Sequence, residues 1–268
     1  MKRIVRLDCS AGLSIDMAAG ALIDLLEDSE GILEELRFLT NYGIKAEITE
    51  IEKYGQRCID FCISPREQGH IHRQLKDVKA ILSQCELSQS AGNLACQLYQ
   101  RIAEAEATVH HTTVDQVHFH EVGSLSTIAS IIAFSSAYTR LHIEELQITS
   151  LTEGTGIVHC SHGELEVPVP AVRELLANYP LPLLRAEGTG ELITPSAAAV
   201  ISLLGIPSHG TLHVLKKGYG AGKRNTGLRG YVIGELGDLE ESISDVNQLR
   251  IQDNKWAEEG KESEYDVE

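Results

Sequence analysis

The residues best suited to chemistry lie in a short histidine-rich segment near the middle of the chain. His118 and His120 are separated by one residue and are followed at once by Glu121. If the segment is extended, both imidazoles project to the same side, because side chains alternate along a strand. Two imidazoles and a carboxylate suit a first-row transition metal such as nickel, zinc or iron(II). We therefore take these three residues as a candidate metal-binding set; the alternative is histidines that titrate in solvent or satisfy local hydrogen bonds.

A second candidate metal-binding set follows further along the chain. His159, Cys160 and His162 place a thiol between two imidazoles, a combination that favours a softer ion such as nickel or zinc. The alternative is a plain hairpin turn at His162 and Gly163. The segment 69–73 holds two more histidines at a predicted helix start. Solvated side chains are the default interpretation there, and relay of a metal is the alternative.

The turn 8–16 leads from a predicted strand into a predicted helix N-terminus, where exposed backbone N–H groups can bind a phosphate. Its two carboxylates could also hold a metal or a ribose hydroxyl. No Gly-Lys-Ser/Thr follows, so the turn is not a Walker A loop. The alternative is that Asp16 only interacts favourably with the positive end of the helix dipole. The candidate ligand-binding residues of this turn are Asp8, Ser10, Gly12 and Asp16.

The segment 218–224 combines three glycines with two adjacent basic residues in an otherwise acidic protein. Such a loop could hold a phosphate or a carboxylate, or it could simply turn the chain. The local reversal of charge favours the first interpretation. The candidate residues are Gly218, Gly220, Gly222, Lys223 and Arg224.

The elements that must position these residues differ between the two halves of the chain. The first half has helical periodicity and one predicted hairpin, and the second half has mostly short predicted strands with two helices. Because strands and helices do not alternate strictly, we predict an α+β fold with a helix-rich first half and a strand-rich second half. The predicted helices are 14–26, 33–43, 71–82, 88–107, 124–138, 169–177 and 194–204, and the predicted strands are 4–7, 44–51, 57–63, 146–148, 157–159, 165–167, 212–215 and 231–233.

Composition excludes some classes of partner. The chain has 268 residues, 23 basic and 39 acidic side chains, and a formal net charge of −16. Such a charge argues against binding nucleic-acid phosphates and against docking on anionic membrane lipid. The start of the sequence lacks the apolar core expected of a signal peptide, and no apolar run approaches the length of a membrane span. Six cysteines without a Cys-x-x-Cys pair indicate free thiols, and we expect a cytoplasmic protein.

The acidic charge is concentrated at the end of the sequence. Residues 239–268 carry ten acidic and three basic side chains, together with Trp256, the only tryptophan. Few apolar residues accompany them, so we expect an acidic tail or a linker stub. Residues 1–238 then form the folded region, with a possible division into subdomains of about 1–140 and 141–238.

Five motifs, taken in order, resemble the LarC family of nickel insertion proteins over nearly all of residues 1–238. Each motif alone is weak, but the ordered set is specific, and the string 118–123 is the most specific of them. The motifs are Asp8-Cys9-Ser10…Gly12…Asp16-Met17, Val117-His118-Phe119-His120-Glu121-Val122-Gly123, Cys160-Ser161-His162-Gly163-Glu164-Leu165-Glu166-Val167-Pro168, Gly190-Glu191-Leu192-Ile193-Thr194-Pro195-Ser196 and Gly218-Tyr219-Gly220-Ala221-Gly222.

The resemblance implies insertion of Ni²⁺ into pyridinium-3,5-bisthiocarboxylic acid mononucleotide, which gives the nickel-pincer cofactor of lactate racemase-type enzymes. It also implies use of CTP with Mn²⁺ or Mg²⁺ through a separate C-terminal polypeptide or region, which this sequence does not include. We expect an oligomer that binds the pyridinium mononucleotide and acts as a nickel chelatase of the lyase class.

The sequence departs from the family pattern at a few positions. Ile15 stands where glycine is usual, Ser126 and Ser130 stand where aspartates are usual, and 229–231 reads Arg-Gly-Tyr. Lost carboxylates weaken a site for a hard metal or a nucleotide. These departures motivate an alternative, a diverged non-catalytic metal-binding or partner subunit. A metal-dependent hydrolase is a third interpretation, because metal-bound imidazoles beside Glu121 could activate water.

Overall fold

The fold is described from a computed structural model that covers residues 2–65, 67, 69, 72–161 and 163–239. His70, His162 and the acidic segment after residue 239 lie outside the described residues, so the predictions made for them stay predictions.

The described residues form helices and a mixed sheet, which confirms the α+β prediction. The first half holds most of the helices and the second half most of the strands, also as predicted. The strands are β1 (Ile4–Cys9), β2 (Lys45–Lys53), β3 (Gln56–Ser64), β4 (Glu145–Gly154), β5 (Ile157–Cys160), β6 (Gly163–Glu166), β7 (Leu183–Ala186), β8 (Gly205–Pro207), β9 (Leu212–Ala221) and β10 (Tyr231–Leu239). The helices are α1 (Ile15–Leu25), α2 (Glu30–Glu35), α3 (Leu75–Leu82), α4 (Gln89–Val109), α5 (Leu125–Arg140), α6 (Pro170–Leu176) and α7 (Pro195–Leu204), with 3-10 turns at Arg37–Tyr42 and Glu121–Gly123.

The main sheet draws strands from both halves of the sequence. Its order is β2-β3-β9-β10-β1-β4-β7, with β8 also paired to β4. β10 is antiparallel to β9 and β1, whereas β1 and β4 are parallel. β5 and β6 form a separate two-stranded hairpin. The predicted division into subdomains near residue 140 stays a prediction, but any such subdomains would share this sheet.

Capping residues fix the starts of the helices that matter for the site. The hydroxyls of Ser14, Ser124 and Thr194 each accept a hydrogen bond from a backbone N–H in the first turn of α1, α5 and α7. Such caps satisfy one of the helix donors that lack an intrahelical partner. The helix predicted from residue 71 begins only at Leu75. The segment before it is extended, because Arg73 pairs with Phe119.

The Gly-rich segment is strand rather than loop over residues 218–221, so this part of the prediction is wrong. β9 continues to Ala221 and packs against α1. A Cβ on Gly220 would lie 1.8 Å from the Met17 carbonyl oxygen, and one on Gly218 would lie 2.2 Å from the Ala21 oxygen. The glycines are therefore needed for close approach of a helix to a sheet.

The helices are layered on the sheet. α1 packs on β3, β9 and β10, α5 packs on α1, and α4 packs on α5. α5 is buried along most of its length, as predicted from its apolar composition. Among the described residues, none of the helices has both the length and the apolar character needed to cross a bilayer.

Candidate functional site

A cavity of about 660 Å³ lies where the first turns of α1, α5 and α7 meet the β5–β6 hairpin and the segment 117–123. Apolar side chains such as Phe61, Val158 and Leu165 form part of its wall. The cavity brings together the following sequence-predicted residues: Asp16, His118, His120, Glu121, His159, Cys160 and Lys223.

The histidines of the segment 117–123 are positioned by a very short antiparallel pairing. The Arg73 N–H donates to the Phe119 carbonyl at 3.2 Å, and the Phe119 N–H donates to the Arg73 carbonyl at 2.7 Å. Side chains alternate on either side of such a pair. His118 and His120 therefore flank Phe119 on one face, as predicted from their spacing.

The partner strand adds a third imidazole to this face. The ring centroid of His72 lies 4.7 Å from that of His120 and 6.0 Å from that of His118. On the same face, one residue after Arg73, Gln74 Nε2 lies 3.3 Å from His118 Nε2. The sequence alone predicts His72 as a solvated helix-end residue by default, outside the candidate metal-binding sets. The signal that could have found it is the matching alternation of 72–74 and 118–120.

The opposite face of the same segment is anchored in the core. Phe119 is 1% exposed, and its ring centroid lies 5.8 Å from that of Tyr99. Tyr99 donates a hydrogen bond of 2.9 Å to the Val122 carbonyl. One face of 117–123 is thus fixed by buried contacts while the other presents imidazoles to the cavity.

Glu121 joins this segment to the β5–β6 hairpin. Its Oε1 accepts hydrogen bonds of 2.7 Å from both the backbone N–H and the hydroxyl of Ser161. The contact brings the second predicted set to the same cavity, although the His159 side chain is 78% exposed and lies 3.5 Å from Glu164. Cys160 Sγ donates to the Gly163 carbonyl at 3.5 Å. Across the parts of the chain that the structure describes, no group of three or more His, Cys, Asp or Glu side chains is arranged to hold a metal ion.

Glu191 is a cavity residue that sequence reasoning did not select. Its pKa is raised to about 7: burial is the largest cause, the Arg224 guanidinium opposes it, and the charges of Glu153 and Glu121 add to it. The loop that carries it is tied to Glu153, whose Oε1 accepts from the N–H groups of Leu192 and Ile193. Burial likewise raises the pKa of Glu153 against the lowering effect of these backbone hydrogen bonds. The sequence holds no local signal for this, because the burial comes from distant segments.

The residues predicted in the turn 8–16 have structural partners. Asp8 Oδ2 lies 2.8 Å from Arg229 Nη1, and Asp8 Oδ1 accepts from the Ser10 N–H at 3.0 Å. Burial favours a higher pKa for Asp8, but these hydrogen bonds outweigh it and hold the pKa below its ordinary value. Gly12 has a φ of +84° and packs against the Leu192 carbonyl. Asp16 is the member of this set that lines the cavity, and anion binding by the others stays a prediction.

The basic residues after β9 have separate surroundings. Lys223 lines the cavity and forms an ion pair with Asp60. Arg224 donates to the Glu191 carbonyl and lies 3.8 Å from Glu191 Oε2. Gly222, the first residue after β9, donates its N–H to the Gly230 carbonyl at 2.8 Å. Phosphate binding by 218–224 stays a prediction, and Lys223 is the best-placed candidate.

A family model described as "Nickel insertion protein" matches residues 5–254 of this chain. A protein of Dictyoglomus thermophilum, also named for nickel insertion, is 34% identical over 249 residues, which cover 92% of this chain and 64% of the relative. Two relatives are named "Pyridinium-3,5-bisthiocarboxylic acid mononucleotide nickel insertion protein". The one from Acetivibrio thermocellus is 33% identical over 84% of this chain and 58% of its own length. The one from Geobacillus kaustophilus is 35% identical over 83% and 56%.

The chain spans about three fifths of the length of the curated relatives it matches. No solved structure matches it. The family match extends over more than nine tenths of the sequence. The chain therefore belongs to the nickel insertion protein family.

Proposed function

We propose that this chain binds Ni²⁺ and an organic thiocarboxylate ligand in one cavity and transfers the metal to that ligand. The observation that carries the proposal is the convergence of His118, His120, Glu121 and Cys160 on a single cavity of about 660 Å³. Imidazole and carboxylate ligands exchange more readily than a closed thiolate cage, so they suit a metal that must leave again.

The proposed acceptor is the pyridinium-3,5-bisthiocarboxylic acid mononucleotide named in the relatives. Its sulfur atoms are softer ligands than the imidazoles of His118 and His120 and the carboxylate of Glu121, which favours movement of nickel from these donors to the organic ligand. The apolar wall at Phe61, Val158 and Leu165 suits the flat ring. Lys223 and the backbone N–H groups at the starts of α1 and α7 suit the phosphate of the mononucleotide.

CTP does not fit this cavity well. Among the lining residues that the structure describes, Lys223 is the only lysine or arginine, and it is already paired with Asp60. Triphosphate sites hold their several negative charges with more cations than this. CTP with Mn²⁺ or Mg²⁺ is the proposed requirement of a separate C-terminal polypeptide. Cofactor supply to lactate racemase-type enzymes, an oligomeric assembly and a cytoplasmic location also remain proposals.

The test removes two imidazoles together. His118→Ala combined with His120→Ala should abolish stoichiometric Ni²⁺ binding, measured by plasma mass spectrometry after gel filtration. A matched control is His142→Ala with His213→Ala, which removes two exposed histidines away from the cavity. Unchanged nickel content in the first variant would overturn the site.

A second candidate, a non-catalytic metal-binding partner, is favoured by one observation. Ser126 and Ser130 line the cavity from α5, and they supply hydroxyls where a site for a hard metal would use carboxylates. The same preparation separates the two candidates when the mononucleotide, Ni²⁺, CTP and a separately made C-terminal region are added. Metallated mononucleotide favours insertion, whereas bound nickel that is never transferred favours the partner.

A further inference from the structure

The pairing that places the three histidines is too small to define its own register. Among the described residues, two backbone hydrogen bonds, both between Arg73 and Phe119, join these segments. Even a complete isolated two-stranded hairpin is marginally stable in water. Side-chain contacts therefore contribute to holding the segment 72–74 against 117–123.

The Arg73 side chain supplies such contacts. Its guanidinium donates to the Gly123 carbonyl at 2.7 Å and forms a two-pronged ion pair with both carboxylate oxygens of Glu67. The two side chains are only 17% and 19% exposed. A bidentate pair of this kind is strong and geometrically specific. The hydrogen bond from Arg73 is the main reason that the pKa of Glu67 lies below its ordinary value.

Glu67 extends the contact to the start of α5. Its Oε2 accepts a 2.9 Å hydrogen bond from the Leu125 N–H, which is one of the helix donors without an intrahelical partner. The Arg73–Glu67 pair is thus hydrogen-bonded to the segment 117–125 at the Gly123 carbonyl and at the Leu125 amide. Both hydrogen bonds lie a few residues after His118 and His120.

The location of Arg73 in the pairing decides which residues respond to it. His72 and Gln74 flank Arg73, and they lie against His120 and His118 respectively. A change in register or tilt at Arg73 would alter both contacts at once, because they share the strand that its side chain fixes.

We propose that Arg73, with Glu67 as its partner, is the positioning residue that sets the relative placement of His118 and His120 for nickel, with His72 packed beside them. The proposal rests on the nickel-binding function proposed above. It predicts a dependence on the forked guanidinium, since a lysine at this position has one ammonium and cannot bond both Glu67 oxygens and the Gly123 carbonyl in the same planar geometry.

The test compares Arg73→Ala and Arg73→Lys with a matched control, Arg57→Ala. Arg57 also bridges two carboxylates, Asp24 and Glu50, but on the β2–β3 hairpin and outside the cavity lining. Isothermal titration with Ni²⁺ alone should show that Arg73→Ala binds nickel at least about tenfold more weakly than the wild type. This is the usual scale for removing a residue that orients metal ligands. Arg73→Lys should fall between this variant and the wild type, and Arg57→Ala should match the wild type.

A second readout separates positioning from general destabilisation. Co²⁺ bound in place of Ni²⁺ reports ligand geometry through its visible absorption bands, which should shift in both Arg73 variants and not in Arg57→Ala. If Arg73→Ala does not fold, Arg73→Lys decides by the same two measurements. Affinity within about twofold of wild type, with an unchanged Co²⁺ spectrum, would overturn the proposal.

The two proposals fail in different ways. If the His118→Ala and His120→Ala double variant still binds nickel, the proposed nickel site is overturned. Loss of nickel in that variant together with wild-type binding by both Arg73 variants would remove only the role proposed for Arg73.

Discussion

The segments that lead into α1 and α7 lie side by side, and each holds an acidic residue beside an arginine. The Leu13 N–H donates to the Leu192 carbonyl at 3.0 Å, and the Thr194 N–H donates to the Leu13 carbonyl at 3.1 Å. Asp8 belongs to the first segment and pairs with Arg229. Glu191 belongs to the second and lies beside Arg224.

The pKa values of these two carboxyl groups are nevertheless shifted in opposite directions. Asp8 receives a 2.8 Å hydrogen bond from its arginine, and its pKa is lowered. Glu191 lies 3.8 Å from its arginine, is more buried, and shares its surroundings with two other carboxylates, so its pKa rises to about 7. A neighbouring arginine alone therefore does not set the charge of a carboxyl; hydrogen-bond geometry, burial and nearby charges decide together.

The largest effect should come from separating the two segments at Gly12. A Cβ at this position would lie 2.6 Å from the Leu192 carbonyl oxygen, in a backbone with a φ of +84°. Gly12→Ala should lower the free energy of unfolding by roughly 2–4 kcal/mol, because steric overlap adds to the left-handed backbone cost. Urea unfolding measures the loss.

Gly43→Ala is the matched control for this steric argument. Gly43 also has a positive φ, +68°, but nothing lies within 4 Å of its added Cβ. The Gly43→Ala variant should lose only about 1 kcal/mol of its free energy of unfolding. Equal losses in the two variants would show that the contact between the segments contributes nothing.

A smaller effect should follow from removing the charge of Glu191. Its folded pKa of about 7 lies above the ordinary value of 4.5. The group therefore stabilises the fold most fully below pH 4.5, and that contribution is lost as the pH rises through 7. Above pH 7, Glu191→Gln should be more stable than wild type by on the order of 2 kcal/mol, and the difference should vanish in acid.

Urea unfolding at a series of pH values between 4 and 8 tests this expectation. Glu187→Gln removes an equal charge from an exposed part of the same loop and controls for net charge. Parallel stability curves for wild type and Glu191→Gln would contradict the raised pKa.

The smallest effect should come from Asp8→Asn. The folded pKa of Asp8 is lowered from 3.8, so the carboxylate contributes stability above that pH and loses it as the pH falls through the folded pKa. The pair with Arg229 is partly solvated, at 33% and 25% exposure. The variant should therefore lose only about 1 kcal/mol at neutral pH.

Thermal unfolding of Asp8→Asn at pH 7 and pH 3 measures this difference. The gap to wild type should shrink in acid. A gap of the same size at both pH values would mean that the loss is steric rather than electrostatic.

Local patterns were sufficient for the elements and for part of the site. Ser14, Ser124 and Thr194 marked helix starts correctly, and the spacing of His118 and His120 placed both on one face. These features depend on neighbours within a few residues, which a sequence displays directly.

The errors arose where distant segments determine the outcome. His72 reaches His118 and His120 only because Arg73 pairs with Phe119, far along the chain. Glu191 owes its raised pKa to burial and to carboxylates from other segments. The glycines of β9 resembled a phosphate loop, although their space is occupied by α1. Packing between elements, which has no local signature, separates these cases from the correct predictions.

The sheet order also constrains when the fold can be completed during synthesis. β1 lies between β4 and β10, with Ile4 opposite Glu145 on one side and Gly237 on the other. During synthesis, β1 therefore has both of its edges paired only after β10, the last described strand, has been made. A nascent chain that stops short of β10 exposes an open strand edge in the middle of the sheet, where it can pair with other chains.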